Sequence, residues 1–119
     1  MRIAYISGPL RAFRDNGNDN PYIPYEMEQN TILAWRVARK LWERSDISFV
    51  LCPHMNTRGM DGPEDTNPDF IGGDLEFIRR MGVADVMVML PGWERSEGAC
   101  MEKALAERHD IPIEIWEED

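Results

Sequence analysis

The sequence predicts an α/β protein: a doubly wound, mostly parallel sheet of four to five strands with helices on both faces. Three observations carry that expectation. Short apolar runs alternate with longer amphipathic or polar stretches in the order β-α-β-α-β-α-β. The run Val86-Met87-Val88-Met89-Leu90 is apolar throughout, the pattern of a strand covered on both sides. Turn residues follow the runs directly, as Ser7-Gly8-Pro9 and Pro91-Gly92. Parallel neighbours cannot be joined by hairpins and need helical crossovers, which the intervening stretches supply.

In chain order, Arg2–Ile6 reads as the first strand, ending at Ser7-Gly8-Pro9. Leu10–Pro24 is polar and rich in Asn and Gly, the composition of an active-site loop or lid. Tyr25–Arg44 repeats apolar residues at Leu33, Val37 and Leu41, with Ala34 and Ala38 beside them, and reads as a long amphipathic helix. Ile47–Cys52 is the second strand, and Pro53–Asp69 a second long loop. Asp69–Met81 is the next helix, its start weakened by Gly72-Gly73. Asp85–Leu90 is the third strand. Ser96–His109 is a helix whose start is well marked, with Ser96 as N-cap and Glu97 in the first turn. Pro112–Trp116 is a last short strand, and Glu117–Asp119 an acidic tail. One domain spans residues 1–119, with no internal repeat and no linker. The arrangement is of the Rossmann or flavodoxin type, in which the loops leaving the strands open at one edge of the sheet, where ligands bind.

Composition narrows the function. The chain has 119 residues, 43% hydrophobic and 29% charged, ordinary for a folded domain. Its net charge of −9 argues against a nucleic-acid polymer as partner, because phosphate backbones need a basic face. A small anion needs only a few local donors. No apolar run approaches membrane-spanning length, and the N-terminus lacks a signal-peptide pattern. Cys52 and Cys100 lack CxxC spacing and read as reduced thiols of a cytoplasmic protein. Cys52 and His54 have no second ligand pair at a recognised spacing, so neither a metal nor another cofactor is expected. Trp35, Trp42, Trp93 and Trp116 are many tryptophans for one small core, which points to a homo-oligomer.

Several residues carry chemistry, each beside an ordinary structural use. Tyr5 is either a core tyrosine whose hydroxyl finds a partner or a site residue at the end of the first strand. Ser7, Gly8, Pro9 and Arg11 form either a simple turn or an anion cradle, with Gly8 allowing close backbone approach and Arg11 a forked contact. The spacing matches neither a Walker A loop nor GxGxxG. Asp74 either complements its helix dipole or faces the cleft as a proton donor and acceptor. Ser96 lies where unpaired backbone N–H groups collect and anions bind. Glu102 lies two turns on, among the small residues Ala99, Cys100, Ala104 and Ala106. A carboxylate in such a packed seam must be hydrogen-bonded or functional. Trp93 is a cover for a flat aromatic ligand, an exposed loop residue or an oligomer contact.

Three segments together resemble the nucleoside 2-deoxyribosyltransferase superfamily, which includes the 2'-deoxynucleoside 5'-phosphate N-hydrolases. They are Arg2-Ile3-Ala4-Tyr5-Ile6-Ser7-Gly8-Pro9-Leu10-Arg11, Asp74-Leu75-Glu76-Phe77-Ile78, and Ser96 through Gly98 to Glu102. The resemblance implies that Glu102 is the nucleophile at C1' of a sugar, that Tyr5 orients it, and that Asp74 handles the proton of the leaving base. The chemistry matches a retaining glycosidase, with two carboxyl groups on the order of 5 Å apart and a covalent sugar intermediate. It also implies homodimers or larger assemblies. In the deoxyribosyltransferases an acid commonly stands at the position of Ser96 and binds the sugar 5'-hydroxyl. In the monophosphate hydrolases a Ser there cradles a 5'-phosphate. Ser96 and Gly98, with Ser7, Gly8, Pro9 and Arg11, therefore point to a nucleoside 5'-monophosphate. Trp93, His54 and Asn56 are the candidates for covering the base. The alternatives are a free-nucleoside 2-deoxyribosyltransferase and a non-catalytic nucleotide-binding module on the same fold.

Overall fold

A computed structural model of the chain describes residues 1–10, 24–57, 60 and 68–117. Among the described residues four strands form one sheet, all neighbours parallel: β1 (Ile3–Ser7), β2 (Phe49–Leu51), β3 (Val86–Met89) and β4 (Ile113–Ile115). Their order is β2-β1-β3-β4. The helices are α1 (Pro24–Trp42), α2 (Pro53–Asn56), α3 (Phe70–Arg79) and α4 (Glu97–Arg108), with a 3-10 turn at Trp93–Arg95. The doubly wound parallel class is therefore the observed one. Among the described residues no helix is long and apolar enough to cross a membrane.

The element that sequence reasoning missed is α2, a single turn inside the stretch read as a loop. Pro53 stands in its first turn, where a fixed φ helps and no N–H is wanted. The backbone N–H groups of Met55 and Asn56 donate to the Cys52 carbonyl, and the Thr57 hydroxyl donates back to Pro53 O at 3.2 Å. Four residues are too few to show a helical period, so hydrophobic patterning cannot find such a turn.

Alternation along β1 sorts its side chains to two layers. Ala4 and Ile6, with Val86, Val88 and Leu90, pack under Ala34, Val37, Ala38 and Leu41 of α1. Tyr5, Met87 and Met89 face the other way, against Ile78 of α3 and Ala99, Leu105 and Ala106 of α4. Each fully buried aliphatic side chain contributes roughly 1.5–3 kcal/mol by leaving water. Tyr5 and Ser7 are two apart, so both project into the α3–α4 layer, where a polar group needs a partner.

The chain leaves β1 to one side for β2 and returns to the other side for β3. The strand order therefore reverses between β1 and β3, the kind of point in a parallel sheet at which ligands usually bind. At that point Leu90 N donates to Ser7 O at 2.8 Å, and Gly8 lies directly against Leu90. A Cβ at Gly8 would stand 2.6 Å from Leu90 Cβ, which has no freedom to swing aside. Gly8→Ala is expected to cost about 1–3 kcal/mol through overpacking, read as a lower urea midpoint. An unchanged midpoint would show that the turn yields freely.

At the opposite edge, the carboxylate of Asp85 accepts from Ile3 N at 2.9 Å and Gly82 N at 2.8 Å. This buried group pins the start of β1 to the turn before β3. Arg44 Nη1 donates to both carboxylate oxygens of Glu114, at 3.0 and 2.9 Å, while its Nε and Nη2 fork onto Asp46, tying the turn after α1 to β4.

Candidate active site

Glu102 is brought inward by the period of α4. Ser96 caps the helix, its hydroxyl oxygen accepting from Ala99 N at 3.2 Å. Ala99, Glu102, Leu105 and Ala106 then fall on one face, which lies on the sheet. The small Ala99 and Ala106 let the helix approach closely. Ala104, read in sequence as part of that seam, is exposed instead, one step round the helix. Glu102 itself is only 6% exposed, so its carboxyl group is almost entirely inside the protein.

Both oxygens of that carboxyl group are held from β1. The Tyr5 hydroxyl donates to Oε2, and the Ser7 hydroxyl donates to Oε1 at 2.7 Å. The ring of Phe77, from α3, stacks on Tyr5 with centroids 6.1 Å apart and an interplanar angle of 29°. Tyr5 is thus fixed by β1 below, Phe77 beside it and Glu102 at its tip. A carboxylate oxygen accepting one hydrogen bond keeps further lone-pair capacity, so both oxygens remain able to act on a ligand.

Asp74, in the first half of α3, completes the cluster. Its charge acts on both Glu102 and Tyr5. Burial is the main reason that Glu102 is pushed up to about 7, with the Asp74 charge adding to it. The two hydroxyl hydrogen bonds oppose that rise by favouring the ionised form. Burial also raises Asp74, to about 6. The Tyr5 phenol is driven far up by burial and by the neighbouring Glu102 and Asp74 charges, so it remains a neutral donor. Two carboxyl groups with raised, adjacent values can exchange a proton near neutrality, the condition for acid–base work.

The remaining site residues divide. The sequence reading places Ser7 in an anion cradle; in the structure its hydroxyl is engaged with Glu102. Ser96 is half-buried at the start of α4, and Gly98 packs toward α3, where a Cβ would meet Ile71 Cδ1 at 3.5 Å. His54 is buried, not spread over a ligand. Its Nε2 bonds Pro9 O at 2.9 Å, and since a carbonyl only accepts, Nε2 carries the hydrogen. Burial lowers the His54 pKa and keeps the ring neutral. Asn56 ends α2, exposed. Trp93 packs on the Tyr5 layer, with Lys103 Nζ 5.1 Å from its ring centroid. Arg11 lies outside the described residues. No group of three or more His, Cys, Asp or Glu that could hold a metal occurs among the described residues.

Sequence reasoning also missed how the segment after β1 is held. Asn30 of α1 donates from Nδ2 to Leu10 O at 2.9 Å, while His54 holds Pro9 O from the other side. Polar residues at positions 30 and 31, on the inward arc of an otherwise apolar helix face, were the available signal.

Fold and site together define an α/β domain with a buried acidic cluster at the sheet's reversal point. The chain belongs to the family described as a domain of unknown function (DUF4406), whose profile matches residues 50–115, more than half of its length. The match includes Asp74, Ser96 and Glu102 and begins after β1. No curated protein matches the chain.

Proposed function

We propose that this protein cleaves the N-glycosidic bond of a nucleoside 5'-monophosphate, or transfers its sugar to another base, through Glu102. The observation that carries this reading is the cradle itself: a buried carboxylate held at both oxygens by Tyr5 and Ser7, beside the second carboxyl group of Asp74. The likeness of the three motifs to the nucleoside 2-deoxyribosyltransferase superfamily supports the same roles.

In the proposed reaction Glu102 attacks C1' of the sugar as the C1'–N bond breaks. The bonding pair leaves with the base, whose nitrogen takes a proton from Asp74. A glycosyl ester of Glu102 results. Water, activated by the Asp74 carboxylate, then attacks C1', frees Glu102 and restores the proton to Asp74. A second base in place of water gives transfer. Tyr5 and Ser7 hold the carboxylate against rotation throughout. Ser96, at the capped start of α4, supports the choice of a phosphorylated substrate, since a hydroxyl and backbone N–H groups favour an anion where a carboxylate would repel it.

The test is a panel of nucleoside 5'-monophosphates and free nucleosides, scored for released base by chromatography. Release from monophosphates is the expected result. Release only from free nucleosides would overturn the phosphate reading, and release from none would overturn the catalytic one.

The pH profile is a further expected outcome. The reactive form needs Glu102 ionised and Asp74 protonated, with values near 7 and 6 respectively in the free protein. kcat/KM should be bell-shaped with its maximum between those values, because Glu102 is lost as nucleophile below and Asp74 as acid above. Asp74→Asn removes a charge that raises Glu102. It should slow base release and abolish the descending limb, since no acid is left to lose as pH rises. A descending limb that survives Asp74→Asn would separate Asp74 from the reaction.

A further inference from the structure

The exit of β1 is held by its carbonyl oxygens, from three different elements. Leu90 N, just after β3, donates to Ser7 O at 2.8 Å. His54 Nε2, from α2, donates to Pro9 O at 2.9 Å, and Asn30 Nδ2, from α1, donates to Leu10 O at 2.9 Å. The last two bonds draw successive carbonyls to one side of the sheet. Met55, next to His54, packs into the layer under α1, whereas Tyr5, which holds Glu102, belongs to the opposite layer. His54 makes its one bond at a cost. The residue is 5% exposed, and its Nδ1 meets no partner among the described residues. A buried acceptor left unsatisfied loses more than a typical hydrogen bond contributes. Burial keeps the ring neutral, so Nε2–H is its single donor.

We propose that His54 and Asn30 are positioning residues that set the preference for a phosphorylated substrate over its parent nucleoside, an inference that rests on the reaction assigned to Glu102. Each acts through the backbone of the β1 exit. A phosphate on a sugar beside Glu102 and Asp74 already faces two carboxyl groups. A backbone carbonyl turned toward it would add another negative end, since oriented peptide groups act as fixed partial charges. Holding Pro9 O and Leu10 O on the α1 side removes two such oxygens from its surroundings. The Pro9–Leu10 peptide is trans, so the Leu10 N–H points opposite to the carbonyl that His54 holds, away from α2. The positive end of that peptide dipole then serves the phosphate, as backbone N–H groups do in anion-binding turns. The short helix α2 thereby has a use: its single turn aims His54 at Pro9 O.

The test is calorimetric titration of inorganic phosphate into the full chain and three variants, with circular dichroism confirming the fold of each. The wild type should bind phosphate. His54→Leu removes one donor, and Asn30→Asp replaces the other with an oxygen that repels Leu10 O. Each should weaken phosphate binding at least about tenfold, the weight of one hydrogen bond to a charged group. His54→Gln keeps a side-chain N–H of similar reach and should stay within about threefold of wild type. In turnover, the ratio of kcat/KM for a nucleoside 5'-monophosphate to that for its parent nucleoside should fall by the same factor in His54→Leu and Asn30→Asp. General loosening of the fold would lower both values and leave the ratio unchanged. If His54→Leu does not fold, Asn30→Asp, at a half-buried position, decides the same question. A wild type that ignores phosphate overturns the proposal. So does undiminished phosphate binding in the folded variants, or an unchanged ratio. Base release by the wild type is scored separately, so the reaction assigned to Glu102 can survive any of these results.

Discussion

Glu102→Gln is expected to abolish base release, lowering the rate by about a thousandfold or more, as loss of a nucleophile does. That corresponds to about 4 kcal/mol of transition-state stabilisation. The substitution is nearly isosteric. Its amide oxygen can still accept from one hydroxyl, and its NH2 group can donate to the oxygen of the other, so the Tyr5 and Ser7 contacts have replacements. What disappears is the charge and the lone pair that, in the proposed reaction, bonds C1'. Nucleotide binding should therefore survive, visible as a ligand-dependent rise in melting temperature. In the wild type, mass spectrometry of a quenched reaction should show chain plus sugar phosphate; in the variant it should not. Base release by Glu102→Gln at the wild-type rate would remove Glu102 from the chemistry. Nucleotide binding without turnover by either protein would favour the non-catalytic reading.

The same variant should be more stable than the wild type at pH 8, by about 3 kcal/mol. Burial raises Glu102 from an ordinary 4.5 to about 7. Between those values the folded chain holds a proton that the unfolded chain releases. Stability then falls as pH rises through this window, and the loss is complete above 7. The figure follows from the size of the shift at 1.36 kcal/mol per pKa unit. Asp74 shifts in the same direction and adds a smaller contribution, since it is partly in solvent. Glutamine has no charge to bury, so the gap between the two proteins should open from pH 4.5 upward and reach roughly 10 °C in melting temperature. Thermal scans from pH 4 to 8 measure it directly. Wild-type stability that stays level across the window would mean that the carboxylate is solvated in the folded state. A site residue whose removal stabilises the fold is the signature expected of a group kept for reactivity.

What the sequence made legible was whatever depends on local period. Alternation put Tyr5 and Ser7 on one side of β1. The helical period put Glu102 between Ala99 and Ala106, and Ser96 announced the start of α4. The apolar run at Val86–Leu90 and the spacing of the crossovers gave a parallel sheet, which places the strand ends at a common edge. Illegible were contacts set by how elements dock. Ser7 looked like a donor for a ligand, and only the distance between β1 and α4 shows its hydroxyl committed to Glu102. His54 looked like a loop residue available to a base, whereas the turn of α2 buries it under Pro9. The stacking of Phe77 on Tyr5 depends on the angle at which α3 crosses the sheet, which no pattern of residues in α3 specifies.

The two layers served by β1 have a consequence for how the protein can change. Neighbouring residues of one five-residue strand answer to different demands: Ala4 and Ile6 to cohesion under α1, Tyr5 and Ser7 to the acidic cluster. The α1 layer can accordingly be redesigned for heat resistance without touching the layer that holds Glu102. The backbone of β1 acts as a partition between cohesion of the scaffold and the arrangement of its acidic cluster.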